Sequence, residues 1–174
     1  MLDNLSHELD QVDPFIARAA RLFEIRRVPA MAEAKLAEAN ALFIDEMYVP
    51  ALEAYSAAIQ HGADGDAGAF ASRAAAYLKL SKFTEALQDA NTAIKLDARR
   101  EVAYYRKGIA CFSLDEFEAA KSAFERGLAL MSEASGGDSR KYATWIRKCE
   151  IEIEDDDDDD DADEVDGGGA AAAP

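Results

Sequence analysis

AGAFASRAAAYLKLSKFTEALQDANTAIKLDARR (residues 67–100) and EVAYYRKGIACFSLDEFEAAKSAFERGLALMSEA (residues 101–134) are one 34-residue pattern written twice. Laid in register, Phe70 falls over Tyr104, Ala74 over Gly108, Phe83 over Phe117, Ala86 over Ala120 and Ala93 over Gly127. Small residues recur at the eighth and twentieth places and an aromatic at the seventeenth. Two antiparallel helices approach closely only where their crossing point carries Gly or Ala, so each line reads as a helical hairpin with a tight crossing. A hairpin of this size cannot bury its apolar face alone; stacked copies bury a continuous core.

A degenerate copy precedes the two clear ones, over residues 32–65. Ala39 fills its eighth place, Tyr48 the seventeenth, Ala51 the twentieth, Tyr55 the twenty-fourth and Ala58 the twenty-seventh. One extra residue, Asp66, sits in the junction. Pro50 stands where a second helix begins, and a first-turn N–H has no intrahelical partner to lose. Gly62 and Gly65 supply a helix end and a loop. Ser81 and Asp115 precede the second helices as turn or cap residues. Tyr48, Phe83 and Phe117 are expected to wedge between the helices of each pair. The spacing resembles the tetratricopeptide repeat. That resemblance implies an all-α fold, a right-handed α-α superhelix of three repeats (32–65, 67–100, 101–134).

Outside the repeats, residues 1–31 form an N-terminal extension. Within it Asp13-Pro14 reads as an N-cap and first helical residue. Ile16, Ala19, Ala20 and Phe23 then share one face of an amphipathic helix over 14–27, expected to pack on the first repeat. Ser135-Gly136-Gly137 breaks the chain after the third repeat. A capping helix is expected over 138–154, started by Asp138 or Ser139. Its apolar face is Tyr142, Trp145, Ile146, Cys149 and Ile153, and Arg140, Lys141, Arg147 and Lys148 give it a polar back. Residues 155–174 open with seven aspartates and lack the apolar surface to fold, which predicts a disordered acidic tail or linker.

Charge is distributed unevenly. Thirteen of the 35 acidic residues lie from Glu150 onward, where no Lys or Arg occurs, so the remainder holds 22 acids against 19 bases. The folded part is nearly neutral, which argues against nucleic-acid binding. No apolar run approaches the roughly 18 residues of a membrane span, and the N-terminus has no apolar signal-peptide core. Cys111 and Cys149 with two scattered histidines, His7 and His61, make no metal framework, and no cofactor is expected. No phosphate loop, nucleophile elbow or catalytic cluster appears, so the chain is expected not to be an enzyme. Cys111 reads as a small core residue. A reduced, cytoplasmic setting is the default, with the nucleus as an addition.

FTEALQDANTAIKLD (83–97), AYYRKGIACFSLDEFEAAKSAFERGL (103–128) and SGGDSRKYATWIRKCEIEIE (135–154) closely resemble the suppressor-of-G2-allele co-chaperones, the SGT family of eukaryotes. The resemblance covers about residues 32–154, with the YRKG run (Tyr105 to Gly108) and the RKCE helix (Arg147 to Glu150) as its markers. It implies an adaptor that links chaperone and client-receptor assemblies to a Skp-type ubiquitin-ligase subunit, in plants in support of immune receptors. In that family the direct chaperone contact belongs to a β-sandwich module after the linker, so the resemblance carries over the repeat domain rather than that contact.

Repeats of this kind often hold the acidic C-terminus of a heat-shock chaperone between Lys, Asn and Arg side chains. The equivalent places here are Leu36, Asn40, Ser72, Val102 and Arg106, where Asn40 and Arg106 fit and both lysines are replaced. Each lost charge-assisted contact is worth about 1.5–3 kcal/mol, so tight binding of such a tail is not expected. The candidate partner-binding groove comprises Asn40, Phe43, Ser72, Leu78, Lys79, Tyr105, Arg106, Ile109 and Phe112, an apolar floor with a few cations that suits a segment of a protein partner. The alternative for Ile109 and Phe112 is packing between helices. Self-association through the repeats is left open. A second functional reading, motivated by the aspartate run, is an acidic-tailed chaperone for basic proteins such as histones.

Overall fold

The computed structural model describes residues 30–133 and 139–160. Among the described residues seven α-helices follow one another: α1 (30–44), α2 (Tyr48–Ala58), α3 (Ala67–Lys79), α4 (Phe83–Leu96), α5 (Glu101–Phe112), α6 (Phe117–Glu133) and α7 (Arg140–Asp160). A π-helical turn, Ile59–Ala63, continues α2 and ends it on Gly62 at φ 109°, a left-handed geometry that suits glycine. Among the described residues there is no strand, and no helix is long and apolar enough to cross a membrane. The expected helix 14–27, Asp138 and the residues after 160 lie outside the described part.

The crossing points fall where the period puts them. Ala39, Ala51, Ala74, Ala86 and Ala120 are fully shielded from solvent. At Gly108 a Cβ would lie 2.6 Å from the Phe124 ring, and at Gly127 it would lie 2.6 Å from Tyr142 Cε1. Both glycines are therefore set by close approach of a ring. Asp66 explains the extra junction residue: it is the N-cap of α3, and its Oδ1 accepts from Gly68 N–H at 2.7 Å.

The turns inside the three hairpins are built alike. Glu46, Ser81 and Asp115 all take left-handed backbone, with φ 60°, 55° and 60°. Ser81 is thus a turn residue and not a cap; the N-cap of α4 is Lys82, which makes no side-chain cap bond. Phe43 meets Tyr48 edge-on with centroids 5.4 Å apart, and Phe112 meets Phe117 in the same way at 5.3 Å. Phe43, Leu78 and Phe112 hold the same place in their repeats, so these side chains help close each hairpin beside its turn.

One polar contact was not legible in the sequence. Arg73 on α3 donates from Nε and Nη2 to both Asp89 carboxylate oxygens on α4, at 2.7 and 2.8 Å, and from Nη1 to Ser56 Oγ on α2 at 3.2 Å. Asp89 is buried. The fork matches the carboxylate in two places and fixes α3 against α4 within the second repeat, while the bond to Ser56 ties that pair to the first.

α7 seals the far end, as its apolar stripe predicts. Tyr142 and Cys149 are fully buried. Trp145 stacks on Phe124 with centroids 5.5 Å apart and donates from Nε1 to Tyr105 Oη at 3.1 Å. The helix does not end near Glu154: it runs to Asp160, so the start of the aspartate run is helical and the expected tail boundary at 155 is too early. The packed turns before it have already met the nucleation cost, and each further residue then needs only near-neutral propagation.

Candidate functional site

The inner helices α1, α3 and α5 form one wall of each hairpin and share a cleft of about 340 Å³. Leu36 and Asn40 come from α1, Ser72 from α3, and Val102 and Arg106 from α5. These are the five places that the resemblance to chaperone-tail-binding repeats implies, brought together from residues 70 apart in sequence. Asp66, Gly68 and Arg100 complete the rim, with Ala69 and Ala71 in the wall.

Tyr55 organises the polar side. Its hydroxyl donates to Asn40 Oδ1 at 2.7 Å. Burial raises its pKa, opposed by a hydrogen bond with Ser72 and by the charge of Arg106. With Oδ1 of Asn40 occupied, the two amide N–H donors of that residue are left to the cleft. Burial also pulls the Arg106 guanidinium below its ordinary value, with Tyr55 and Glu101 acting the other way. Among the described residues Arg106 has neither a hydrogen bond nor an ion pair.

Arg100 is the functional candidate that sequence reasoning missed. It occupies the last place of the second repeat, where periodicity carries no signal, and the close packing of 66–68 on the start of α5 brings it to the rim. Its Nε is buried without a hydrogen-bond partner, as is Oε2 of Glu101. The nearest carboxylate oxygen, Asp97 Oδ2, is 3.6 Å away, too long for a hydrogen bond.

The nine residues expected to line a groove do not all meet. Asn40, Ser72 and Arg106 share the cleft. Tyr105, Ile109 and Phe112 pack instead against the α5–α6–α7 cluster, where Tyr105 meets Tyr142 at 5.2 Å and Phe112 meets Trp145 at 5.2 Å. Phe43 packs on the cluster around Ala39, Ala51 and Tyr55. Leu78 is half-buried, and exposed Lys79 holds its Nζ 5.8 Å above the Tyr48 ring. The basic back of α7 likewise covers rings: Lys141 Nζ lies 4.7 Å from Tyr105, and Lys148 Nζ 4.4 Å from Trp145.

Other chemistries find little footing. Cys111 is buried and its thiol is pushed up to about 11, chiefly by burial, which leaves little thiolate at neutral pH. Among the described residues no three His, Cys, Asp or Glu side chains are placed to hold a metal.

Comparison with known proteins agrees with the helical-repeat fold. The tetratricopeptide-repeat family profile matches residues 102–130. The chain is 40% identical over 118 residues to the Protein SGT1 homolog of Oryza sativa subsp. japonica, covering 68% of this chain and 30% of that protein. It is 35% identical over 125 residues to Hsp70-Hsp90 organizing protein 3 of Arabidopsis thaliana, covering 72% of this chain and 21% of that one. It therefore spans less than a third of these relatives. Among solved structures, the second repeat domain of human RPAP3 in complex with the HSP70 peptide SGPTIEEVD superposes with a TM-score of 0.63 at 32% identity, covering 70% of this chain and 98% of that one.

Proposed function

We propose that this chain, which belongs to the tetratricopeptide-repeat family in its co-chaperone type, is a non-enzymatic adaptor that holds a segment of a protein partner in the cleft between α1, α3 and α5. The observation that carries the reading is the convergence of Asn40, Ser72 and Arg106 on one cleft, where the half-buried Arg106 guanidinium has no hydrogen bond or ion pair among the described residues. Donors that lack a protein acceptor exchange water for a ligand that supplies acceptors, and charge-assisted bonds to a guanidinium are the stronger ones. The cleft offers donors and apolar walls, and no histidine stands beside Ser72 to make it a nucleophile.

Relatives named as Hsp70–Hsp90 organizing proteins, and a neighbour that holds an HSP70 peptide, support a chaperone as the partner class. In the narrower reading, which rests on the resemblance of 83–97, 103–128 and 135–154 to the SGT co-chaperones, the partner set includes a Skp-type ubiquitin-ligase subunit and client receptors in cytoplasm and nucleus. Leu36 and Val102 stand where cations would grip a doubly acidic tail, so a peptide ending in EEVD should bind this chain only weakly. A submicromolar dissociation constant by calorimetry would overturn that part.

The adaptor reading is tested by titrating the full chain with purified Hsp70, Hsp90 and a Skp-type subunit, alongside the variant Asn40→Ala/Arg106→Gln. At least one partner should bind, and the variant should lose tenfold or more at an unchanged melting temperature. Absence of binding to all three would refute the reading. Binding that survives the variant and vanishes on deleting 155–174 would refute it in favour of an acidic-tail mechanism.

A further inference from the structure

We infer that residues 14–27 of this chain cover the open face of α1, completing the array at its N-terminal end as the second helix of a half-repeat.

The open face is apolar. Ile44, at the end of α1, is 78% exposed. Ala30, Ala34, Ala37 and Ala41 lead up to it at spacings of four and three, all exposed. Repeat register shows what covers such a face elsewhere. The third and tenth places are Ala69 and Ala76 in the second repeat and Ala103 and Ala110 in the third, and all four are buried. Ala76 packs in one cluster with Tyr55 of α2, Ala69 in another with Ala58 of α2, and Ala103 in a third with Ala93 of α4. In each case the second helix of the preceding repeat supplies the cover. The first repeat keeps the same alanines, Ala34 and Ala41, and no described helix precedes them.

Sequence and reach name the occupant. Ile16, Ala19, Ala20 and Phe23 have the spacing of Tyr48, Ala51, Leu52 and Tyr55 in the second helix of the first repeat. Phe15 and Leu22 widen that face, and apolar surface of this width gains by leaving water. Pro29 disfavours helical backbone at Val28, so a helix over 14–27 does not run on into α1. A two-residue connection, Val28 and Pro29, instead turns it back along α1 as an antiparallel neighbour. The hairpin end matches as well. Lys79, at the thirteenth place of the second repeat, holds its Nζ 5.8 Å above Tyr48, the seventeenth place of the first. One repeat earlier the thirteenth place is Ile44, and the residue in register to meet it is Ile16, an aliphatic pair. Charge agrees: 14–27 carries four arginines against one glutamate, and exposed Glu33, Glu38, Asp45 and Glu46 edge the face.

Stacked repeats need both open ends covered. With α7 at one end and 14–27 at the other, the α1 face is not available to a second copy of the chain, and the cleft between α1, α3 and α5 stays open.

The experiment is a double-mutant cycle in the full chain between Phe23→Asp and Ala41→Glu, with melting followed by circular dichroism and mass by light scattering. Ala41 is exposed, so Ala41→Glu disturbs the fold only if something covers α1. With 14–27 in place it should lower the melting temperature by roughly 4–10 °C, and Phe23→Asp should do the same. The double variant should lose no more than the larger single loss, because both changes remove one contact. Ala143→Glu, at an exposed position of α7, is the control and should stay within about 2 °C of the parent. Ala41→Glu melting with the parent overturns the inference, as do additive losses in the double variant. A parent that scatters as a dimer and becomes a monomer on Ala41→Glu also overturns it, with a second copy as the occupant.

Discussion

Gly108 offers the sharpest test of the packing. A Cβ added there would lie 2.6 Å from Cε1 and Cζ of Phe124 and 2.7 Å from Cδ1, well inside contact distance. The ring cannot step aside: it is fully buried, stacked on Trp145 and edge-on to Tyr105 at 5.8 Å. Two terms oppose each other in Gly108→Ala. Helix propensity favours Ala by about 0.8–1 kcal/mol. Overpacking a close helix crossing costs about 1–3 kcal/mol, and a fully buried ring held by two further aromatic side chains places this site at the upper end. We expect a net loss of about 1–2 kcal/mol, or a fall in melting temperature of roughly 3–10 °C for a domain of this size. Gly65→Ala is the control, because a Cβ there meets nothing within 4 Å; it should be neutral or stabilising by up to about 1 kcal/mol. Urea denaturation followed by circular dichroism reads both. If Gly108→Ala melts at or above the parent temperature, the crossing is not the close approach described here and the repeat register is in error.

Three further outcomes follow from the contacts. Ser81→Gly and Asp115→Gly relieve left-handed backbone and should each stabilise by about 0.5–1 kcal/mol in the same denaturation assay. Arg73→Ala strands the buried carboxylate of Asp89 and should cost about 2–4 kcal/mol, whereas Arg73→Met with Asp89→Leu should cost less than that single change. Alkaline titration should destabilise the fold through Cys111. The thiol ionises near 9.0 when unfolded and near 11 when folded, so stability is full below pH 9 and falls as pH rises through that window; Cys111→Ala should lose less stability over the same range.

How much of this was legible in the sequence depends on which atoms decide it. The hairpins and their crossings could be read because a steric rule acts on single positions: only Gly or Ala lets two helix backbones meet, so their 34-residue spacing marks the crossings. The capping role of α7 could be read because a five-residue apolar stripe must be covered. The cleft was half legible. Resemblance to repeats that bind chaperone tails, carried over by register, identified Leu36, Asn40, Ser72, Val102 and Arg106, yet nothing in one repeat shows that Tyr55 holds Asn40 or that Arg100 comes to the cleft, since both depend on helix rotation and loop path. Periodicity also placed Tyr105, Ile109 and Phe112 on an inner helix without showing that α7 would cover them. The helical start of the aspartate run was hidden for a related reason. Local propensity argues against it, and continuation from packed turns argues for it.

α5 joins the two halves of the molecule, and a pair of matched substitutions can separate them. Tyr105 and Arg106 are neighbours on α5, yet Tyr105 turns into the α7 cluster while Arg106 turns into the cleft. Tyr55 and Tyr105 each use one hydroxyl. That of Tyr55 holds Asn40 at 2.7 Å, and that of Tyr105 accepts from Trp145 Nε1 at 3.1 Å. Tyr105→Phe removes an acceptor from a half-buried indole N–H, so it should destabilise by about 1–2 kcal/mol and leave partner affinity within twofold. Tyr55→Phe frees Asn40, which stands exposed at the cleft mouth and can take water in exchange. Its stability cost should stay near 0.5–1 kcal/mol, while partner affinity falls severalfold because the amide is no longer aimed. If instead Tyr55→Phe spares affinity and Tyr105→Phe abolishes it, the partner lies along the α5–α7 aromatic seam and not in the cleft.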